Sequence, residues 1–356
     1  MLLLALWLKN ERMKYIINIT YTLICLSLFS CASAQNTVKT TIKTDSIAER
    51  MLVYQLSNGA WPKQLQGGTV VKYETPIDDA LLAKIRSTTY MHATIDNKAT
   101  SREIVALVKA YKTTTNKAYL NAAQKGLDYL FEAQYKNGGW PQYYPDKSSY
   151  RAEITFNDDA IVNVLNIMQN IVTQTNDFEV VAPVYVAKAE DAIRRGLDCI
   201  LKTQVLQNGK PTIWAAQYDQ NTLKPAKARN FEPASLSTSE SVGIIRFLMK
   251  VKNPSPEIKA AITNAVNWFE ASKITGFKFE KMANGDRGLI ADPTSVIWAR
   301  FYDFNTNQPI FGDRDHSIKS NVAEISFERR NGYAWYGTWG ANLLTKEYPK
   351  WVKANP

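Results

Sequence analysis

Three polar blocks carry the residue types able to do chemistry. Lys227 to Ser241 reads KARNFEPASLSTSES and places Arg229 and Glu232 just ahead of an amphipathic stretch. TIDNKAT holds Asp96, and TFNDDA holds Asp158 and Asp159, each at the start of another helical pattern. Acids at helix starts commonly cap free N–H groups, and each of the three has that ordinary alternative. Asp158 and Asp159 are adjacent, however, so both cannot serve one set of N–H groups. TIDNKA and TFNDDA also superpose at a spacing of about one repeat, so their carboxylates should converge. Converging carboxylates repel unless a cation neutralises them. Oxygen donors without His or Cys favour a hard cation, Ca2+ before Mg2+. With no EF-hand pattern in the chain, such a site would be open and completed by the substrate. Asp96, Asp158 and Asp159 are the expected metal ligands.

Arginines supply the complementary charge. Arg229 is either a surface side chain paired with Glu232 or a cation aimed at a carboxylate-bearing substrate. Arg300, Arg314 and the Arg329-Arg330 pair add candidates, since guanidinium matches carboxylate geometry bidentately. About half of these should be structural, and Asp286-Arg287 reads as a further such pair. Aromatics cluster in GGWPQYYP (Trp140, Tyr143, Tyr144) and in GYAWYGTW (Tyr333, Trp335, Tyr336, Trp339). Rings of this kind stack on sugars but more often fill cores; Trp140 is taken as a substrate contact. The two histidines, His92 and His316, leave little room for a His-based zinc site or a Ser-His-Asp triad. No phosphate-binding glycine loop is visible, so no nucleotide cofactor is expected.

The elements that must position these residues recur along the chain. Met51-Leu52 leads through Gln55 to Asn58-Gly59-Ala60-Trp61-Pro62; Gly126-Leu127-Asp128-Tyr129-Leu130 leads through Gln134 to Asn137-Gly138-Gly139-Trp140-Pro141; Gly196-Leu197-Asp198-Cys199-Ile200 leads through Gln204 to Asn208-Gly209. Val266-Asn267-Trp268-Phe269 is a degenerate fourth copy. The period is roughly 70–80 residues, enough for two helices and their loops. Between the copies, Ile104, Leu107, Val108 and Tyr111 share one helical face, as do Ile161, Val164, Leu165 and Met168, and Val242, Ile245, Leu248 and Met249. Thr100 with Glu103, and Ser237 with Glu240, read as capping boxes. The fold class expected is all-α dominant: an α/α toroid, an incomplete (α/α) barrel, whose long loops form a cleft at one end. A stacked solenoid is the structural rival. Short strands are expected near Thr212–Trp214 and Lys278–Glu280. Past Asp292 the chain reads as mostly loop with one or two helices, Gly337–Leu344 being the last.

Length and composition fit one large domain. The chain has 356 residues, 45% hydrophobic, with a net charge of +10. Residues 1–34 read as a signal peptide: Lys14 precedes the apolar run Tyr15–Phe29, Ala32-Ser33-Ala34 offers a cleavage site, and Met13 is the natural start. Residues 35–45 are a short polar linker and 46–356 the catalytic domain. Export is expected, as a soluble secreted or periplasmic protein or through a lipid on Cys31. Cys199 lies in an apolar run and reads as a core thiol, so there is no disulfide framework. Basic charge without lysine or arginine runs fits an acidic polysaccharide better than nucleic acid. A monomer is expected.

With these motifs in view, the chain resembles pectate lyases of polysaccharide lyase family 10. TIDNKAT, NGGWPQYYP, ITFNDDA, RNFEPASLS, ADPTSVIWARFYDFNTNQPIFGDRDHSIK and EISFERRNGYAWYGTW carry the likeness, in order, across residues 46–350. The resemblance implies a helical toroid and calcium-dependent β-elimination of polygalacturonate. It implies that Arg229 removes the C5 proton, that Asp96 and one of Asp158 or Asp159 (Asp158 preferred) hold Ca2+, and that Arg300 and Arg314 bind substrate carboxylates. The rivals are a lyase of another uronate, an inverting glycosidase using Asp158 or Asp159 with Glu232, and a non-catalytic glycan-binding protein.

Overall fold

Amphipathic helices that each leave an apolar stripe to be covered will pair and then stack the pairs. The computed structural model describes residues 43–356, so the leader, its cleavage site and Cys31 lie outside the described residues. Its main helices are α1 (Ser46–Tyr54), α2 (Asp79–Ser87), α3 (Ser101–Thr114), α4 (Lys117–Ala133), α5 (Ala160–Thr173), α6 (Val184–Thr203), α7 (Thr238–Leu248) and α8 (Pro256–Ala271). α3 packs on α4, α5 on α6 and α7 on α8, while α3, α5 and α7 also pack on one another in series. The series is the inner layer. α5 shows why: it carries no charged residue and buries Ile161, Val164, Leu165, Met168 and Ile171. α6 is the outer type, burying only one stripe (Ala189, Ala192, Gly196, Cys199, Ile200). The result is an incomplete α/α toroid. Cys199 is a free, buried thiol whose pKa burial pushes up to about 12, as its apolar setting implied.

The sequence repeat has a physical meaning. Each glutamine that ends a copy clips its own turn to the next outer helix. Gln55 Nε2 donates to Gly59 O (2.8 Å) and Ala122 O (2.9 Å), and Gln134 Nε2 to Gly138 O and Ala192 O (both 3.0 Å). Gln204 Nε2 repeats this on Thr212 O (2.8 Å) and Ala261 O (3.0 Å). Each tryptophan donates its indole N–H to a carbonyl of the preceding helix: Trp61 to Met51 O, Trp140 to Leu130 O, Trp214 to Ile200 O and Trp298 to Phe269 O. These bonds satisfy carbonyls that a helix end leaves without intrahelical partners. The last pair confirms the fourth copy at Trp268-Phe269, displaced in sequence by an inserted hairpin.

Gly138 is a tight point in this arrangement. It sits at φ +91°, and a Cβ built there would lie 1.9 Å from Arg195 O. Gly138→Ala should cost about 3 kcal/mol or more, because neither backbone can yield. Gly68→Ala, at φ +84° but in open space, should cost only about 1 kcal/mol. Urea melts of the two variants check this; equal losses would contradict the close approach.

The strand expected at Lys278–Glu280 is present within Ile274–Lys281. The tail beyond it differs from expectation: Ile274–Lys281 and Arg287–Ala299 form a long antiparallel hairpin, joined by Tyr336–Gly337. Leu236–Ser237, Phe301–Tyr302, Pro309–Gly312 and Ile318–Lys319 form a second sheet. Asp292-Pro293 signals a loop in sequence, but it lies in a bulge where the register passes from Phe277↔Ala291 to Thr275↔Val296. Proline removes no ladder bond at such a place. Gly337 is in a strand, and the terminal helix is α10 (Tyr348–Ala354), after a short α9 (Phe327–Gly332). The strand expected at Thr212–Trp214 instead pairs Leu206–Gln207 with Lys210–Pro211. No helix among the described residues is long and apolar enough to cross a membrane.

Candidate functional site

Short β-bridges run from loop to loop over one end of the helices. Pro62 pairs with Ala93, Thr94 with Tyr143, Pro141 with Ile154, Ile154 with Tyr218, Ala215 with Leu236, and Leu236 with Tyr302. Four of the site residues hang from this ladder within a few positions: Asp96 follows Thr94, Asp158 follows Thr155, Glu240 follows Leu236, and Arg300 precedes Phe301. The buried hydroxyls of Thr100 and Ser241 pin the inner helix starts in the same way, accepting from Trp61 N and Trp214 N respectively, each at 3.0 Å.

The two acidic turns are built alike. Asn97 and Lys98 have φ of 50° and 64°, and Asp158 and Asp159 have 52° and 58°. Consecutive left-handed residues are costly outside glycine and cluster where function over-determines the backbone. Neither turn uses its acid as a helix cap, which removes the ordinary alternative. The two capping boxes also fail. Thr100 makes no cap bond, and Glu103 is buried against Tyr73 Oη (2.8 Å) and Arg102 Nε (2.8 Å). Ser237 donates to Glu240, which is itself ion-paired with Arg300.

Asp96 is 2% exposed. Lys63 Nζ donates to its Oδ2, while Oδ1 is buried with no hydrogen-bond partner. Asp158 opens to the cleft, yet burial, then Asp96 and Glu240, push its pKa up against the pull of Arg300 and Arg229. The structure therefore brings Asp96, Arg229 and Arg300 within electrostatic reach of Asp158. Asp159 lies against α7 as well as the cleft: a Cβ on Gly243 would lie 1.9 Å from its Oδ1. Burial, then Glu240 and Asp158, raise its pKa to about 6, opposed by Arg246 and Lys98. Asn97, Lys98, Asp158, Asp159, Ser239 and Glu240 line a cleft of ≈ 300 Å³.

Asp159 gives a pH prediction with a fixed sign. Its folded pKa lies above the ordinary 3.8, so its favourable contribution is complete below that value and lost as pH rises through about 6. Asp159→Asn should then be more stable than the parent at pH 8, by up to about 1 kcal/mol after solvent screening. At pH 3.5 the gain should vanish. Thermal melts at the two pH values in a metal-free buffer check it, and a pH-independent difference would contradict the assignment.

The arginines divide clearly. Arg229 Nε donates to Glu232 Oε2 (2.7 Å) and its Nη2 to Oε1. These bonds hold the guanidinium above its ordinary pKa. Burial alone would raise the Glu232 carboxyl, but Arg229 and Tyr333 outweigh it and hold it below its usual range. Glu232 is thus a poor general acid, which disfavours the glycosidase rival. Arg229, Arg314 and Arg329 surround the Phe231 ring at 4.7, 5.6 and 4.4 Å from its centroid. Arg300 is largely buried, lies 5.0 Å from the Tyr333 ring and keeps a buried Nε without a partner. Arg314 is exposed and paired with Glu328 (2.9 and 3.0 Å) at the rim beside Arg229. Arg330 is bidentate to Asp286, so Asp286 pairs with Arg330 rather than with Arg287.

Trp140 requires correction. It is 0% exposed and its indole N–H is spent on Leu130 O, so it offers a sugar no face; it packs the core behind the cleft. Lys63, Glu240 and Tyr333 were missed. Lys63 had a signal: it follows Trp61-Pro62 as Gln142 follows Trp140-Pro141. Glu240 and Tyr333 had none, because long-range folding alone sets them beside Arg300.

The residues present fit a hard cation in part. Asp96 has an orphaned buried carboxylate oxygen, and Asp158 is a second carboxylate whose charge its neighbours disfavour. Among the described residues no three His, Cys, Asp or Glu side chains form a metal-holding group, so a cation would need further oxygens from water or a ligand.

A family model described as pectic acid lyase matches residues 55–344. Among solved structures, a family 10 polysaccharide lyase from Cellvibrio cellulosa is 33% identical, covering 86% of this chain and 92% of that one, with a TM-score of 0.78. An aspartate-to-alanine mutant of the family 10 enzyme from the same organism, in complex with trigalacturonic acid, is also 33% identical. It covers 85% of this chain and 92% of that one, with a TM-score of 0.77. No curated protein sequence matches the chain.

Proposed function

This chain belongs to the pectic acid lyase family, and from that premise we propose that it cleaves α-1,4-polygalacturonate by calcium-dependent β-elimination, with Arg229 as the base. The observation that carries the reading is the pair of like-built acidic turns at Asp96 and Asp158, one with an unpartnered buried oxygen, with Arg229 and Arg300 close enough to act on the Asp158 carboxyl.

The C5 proton of a galacturonate lies α to its carboxylate. Arg229 takes that proton, the C5–H electron pair forms the C4=C5 double bond, and the C4–O4 bond breaks with O4 leaving and gaining a proton from solvent. Asp96 and Asp158 would hold Ca2+, which when bound neutralises the substrate carboxylate and so acidifies C5. Asp159, which also lines the cleft, is the alternative to Asp158 as ligand. Arg300, anchored by Glu240, and Arg314 at the rim clamp carboxylates of the bound polymer. Glu232 orients the Arg229 guanidinium in the resting state. A guanidinium accepts no proton, so Arg229 must reach its neutral form, helped by the positive charge of Arg300, Arg314 and Arg329 around it. Turnover therefore rises with pH into the alkaline range.

The direct test is ultraviolet absorbance of polygalacturonate incubated with the protein, with and without added Ca2+. A conjugated product absorbs only if elimination occurs; reducing ends without absorbance would indicate hydrolysis and overturn the reading.

A further inference from the structure

A second groove leaves the cleft at Lys98 and runs between the inner helices α3 and α5. Lys98 lines both the cleft and this groove, so the two surfaces are continuous. The groove encloses ≈ 430 Å³. Its apolar lining is Val105, Ala106 and Ile167, with Val105 41% exposed on a helix face that an inner layer would normally cover. Its polar lining is Lys98, Arg102 and Lys109 from one side and Asn163, Asn166 and Asn170 from the other, with no carboxylate among them.

The chemistry of these groups selects a ligand. Neither Lys98 nor Lys109 takes part in an ion pair among the described residues, so their charge is available. Asn163, Asn166 and Asn170 recur at helical spacing along α5 and present a column of amide N–H donors beside the apolar strip, the Oδ1 of Asn166 accepting from Lys250 Nζ (3.0 Å) and that of Asn170 from Asn176 Nδ2 (2.8 Å). The Nδ2 of Asn163 is buried and has no hydrogen-bond partner, a donor whose burial costs stability unless a ligand oxygen or water meets it. Apolar patches for C–H faces, amides for hydroxyls and cations for carboxylates together describe a polyuronate. Arg102 and Lys109 are two helical turns apart, about 10 Å along α3, a length of about two sugar units.

We propose that this α3–α5 groove is a non-catalytic holding site for an uncleaved stretch of the same acidic polysaccharide, continuous with the catalytic cleft. The inference rests on the pectate lyase reading above. It assigns the groove the role of retaining long chains, through an effective local concentration that short substrates do not experience.

Lys109→Glu and Val105→Glu test it, since both side chains are on the exposed face and neither belongs to the cleft. Binding of long polygalacturonate is measured by affinity electrophoresis of the full chain in chelator, where no cleavage is expected. KM is measured with Ca2+ on long polymer and on trigalacturonate. Each variant should weaken long-polymer binding and raise its KM by about five- to tenfold at low salt, as loss or reversal of a charge contact implies, with trigalacturonate kinetics unchanged. Unchanged long-polymer binding and KM in both variants would overturn the groove. Equal losses on trimer and polymer would also overturn it, by placing the effect in the cleft. Tighter retention of an unrelated polyanion such as heparin than of polygalacturonate would show a general anion surface and equally overturn it. A parent protein that neither binds nor cleaves polygalacturonate would instead refute the underlying function, so the two failures are distinguishable.

Discussion

Arg229→Ala is expected to lower turnover of polygalacturonate by about 10³–10⁴-fold, the range for loss of a positioned proton acceptor, while binding of the polymer falls by no more than about threefold. The split follows from geometry. Arg229 is one of three guanidiniums grouped around Phe231, so deleting it removes the proton acceptor but leaves Arg314 and Arg329 to attract carboxylates. Arg229→Lys should recover part of the loss, because an amine sheds its proton more readily than a guanidinium. Glu232→Gln is the sharper test. Glu232 is the leading reason the Arg229 pKa stands above its ordinary value; removing its charge lowers that pKa. The alkaline rise of kcat should then move to lower pH, even if the maximum rate suffers from a less ordered side chain. A profile that stays in place, or an active Arg229→Ala protein, would take Arg229 out of the base role.

How much of this was readable before folding can be judged residue by residue. The helical repeat was legible because it is enforced locally: Gln55, Gln134 and Gln204 each bond both their own turn and the next outer helix, so the pattern cannot drift. Asp96 and Asp158 stood out because two turns of equal construction repeat one spacing. The hairpin at Arg287–Ala299 was not legible, since a proline in a bulge imitates a loop. Trp140 was misread for a physical reason: an aromatic beside a glycine turn looks the same whether it faces a cleft or a helix end, and only the bond to Leu130 O distinguishes them. Glu240 carried a cap signature, Ser at i and Glu at i+3, yet its partner is Arg300, sixty positions away. Ion pairs across such distances leave no trace in spacing. The long-range pairing of Arg330 with Asp286 displaced the neighbour pair for the same reason.

Removing divalent metal should abolish elimination, and Asp158→Asn should reproduce most of that effect at low Ca2+. Among the described residues the site assembles no three-carboxylate cage, so affinity depends heavily on each acid. Losing one charged ligand of two should raise the Ca2+ needed for half-maximal rate by at least about tenfold, equivalent to about 1.4 kcal/mol, with recovery at saturating Ca2+. Asp96→Asn should behave differently. Its Oδ2 is held by Lys63 in the resting structure, so the substitution also releases a lysine into the cleft, and added Ca2+ should restore less activity than it does for Asp158→Asn. Binding can be followed apart from catalysis, by the rise in thermal midpoint on adding Ca2+: it should be present in the parent and strongly reduced in both variants. The charge argument also fixes the direction with pH. Asp158 has a raised pKa because Asp96 and Glu240 add to its burial, so protons compete with the cation and the midpoint shift should weaken as the solution is acidified. Full activity in excess chelator, or a Ca2+ response untouched by loss of both acids, would remove the metal from the mechanism and leave the paired carboxylates, with the buried unpartnered oxygen of Asp96, without a function.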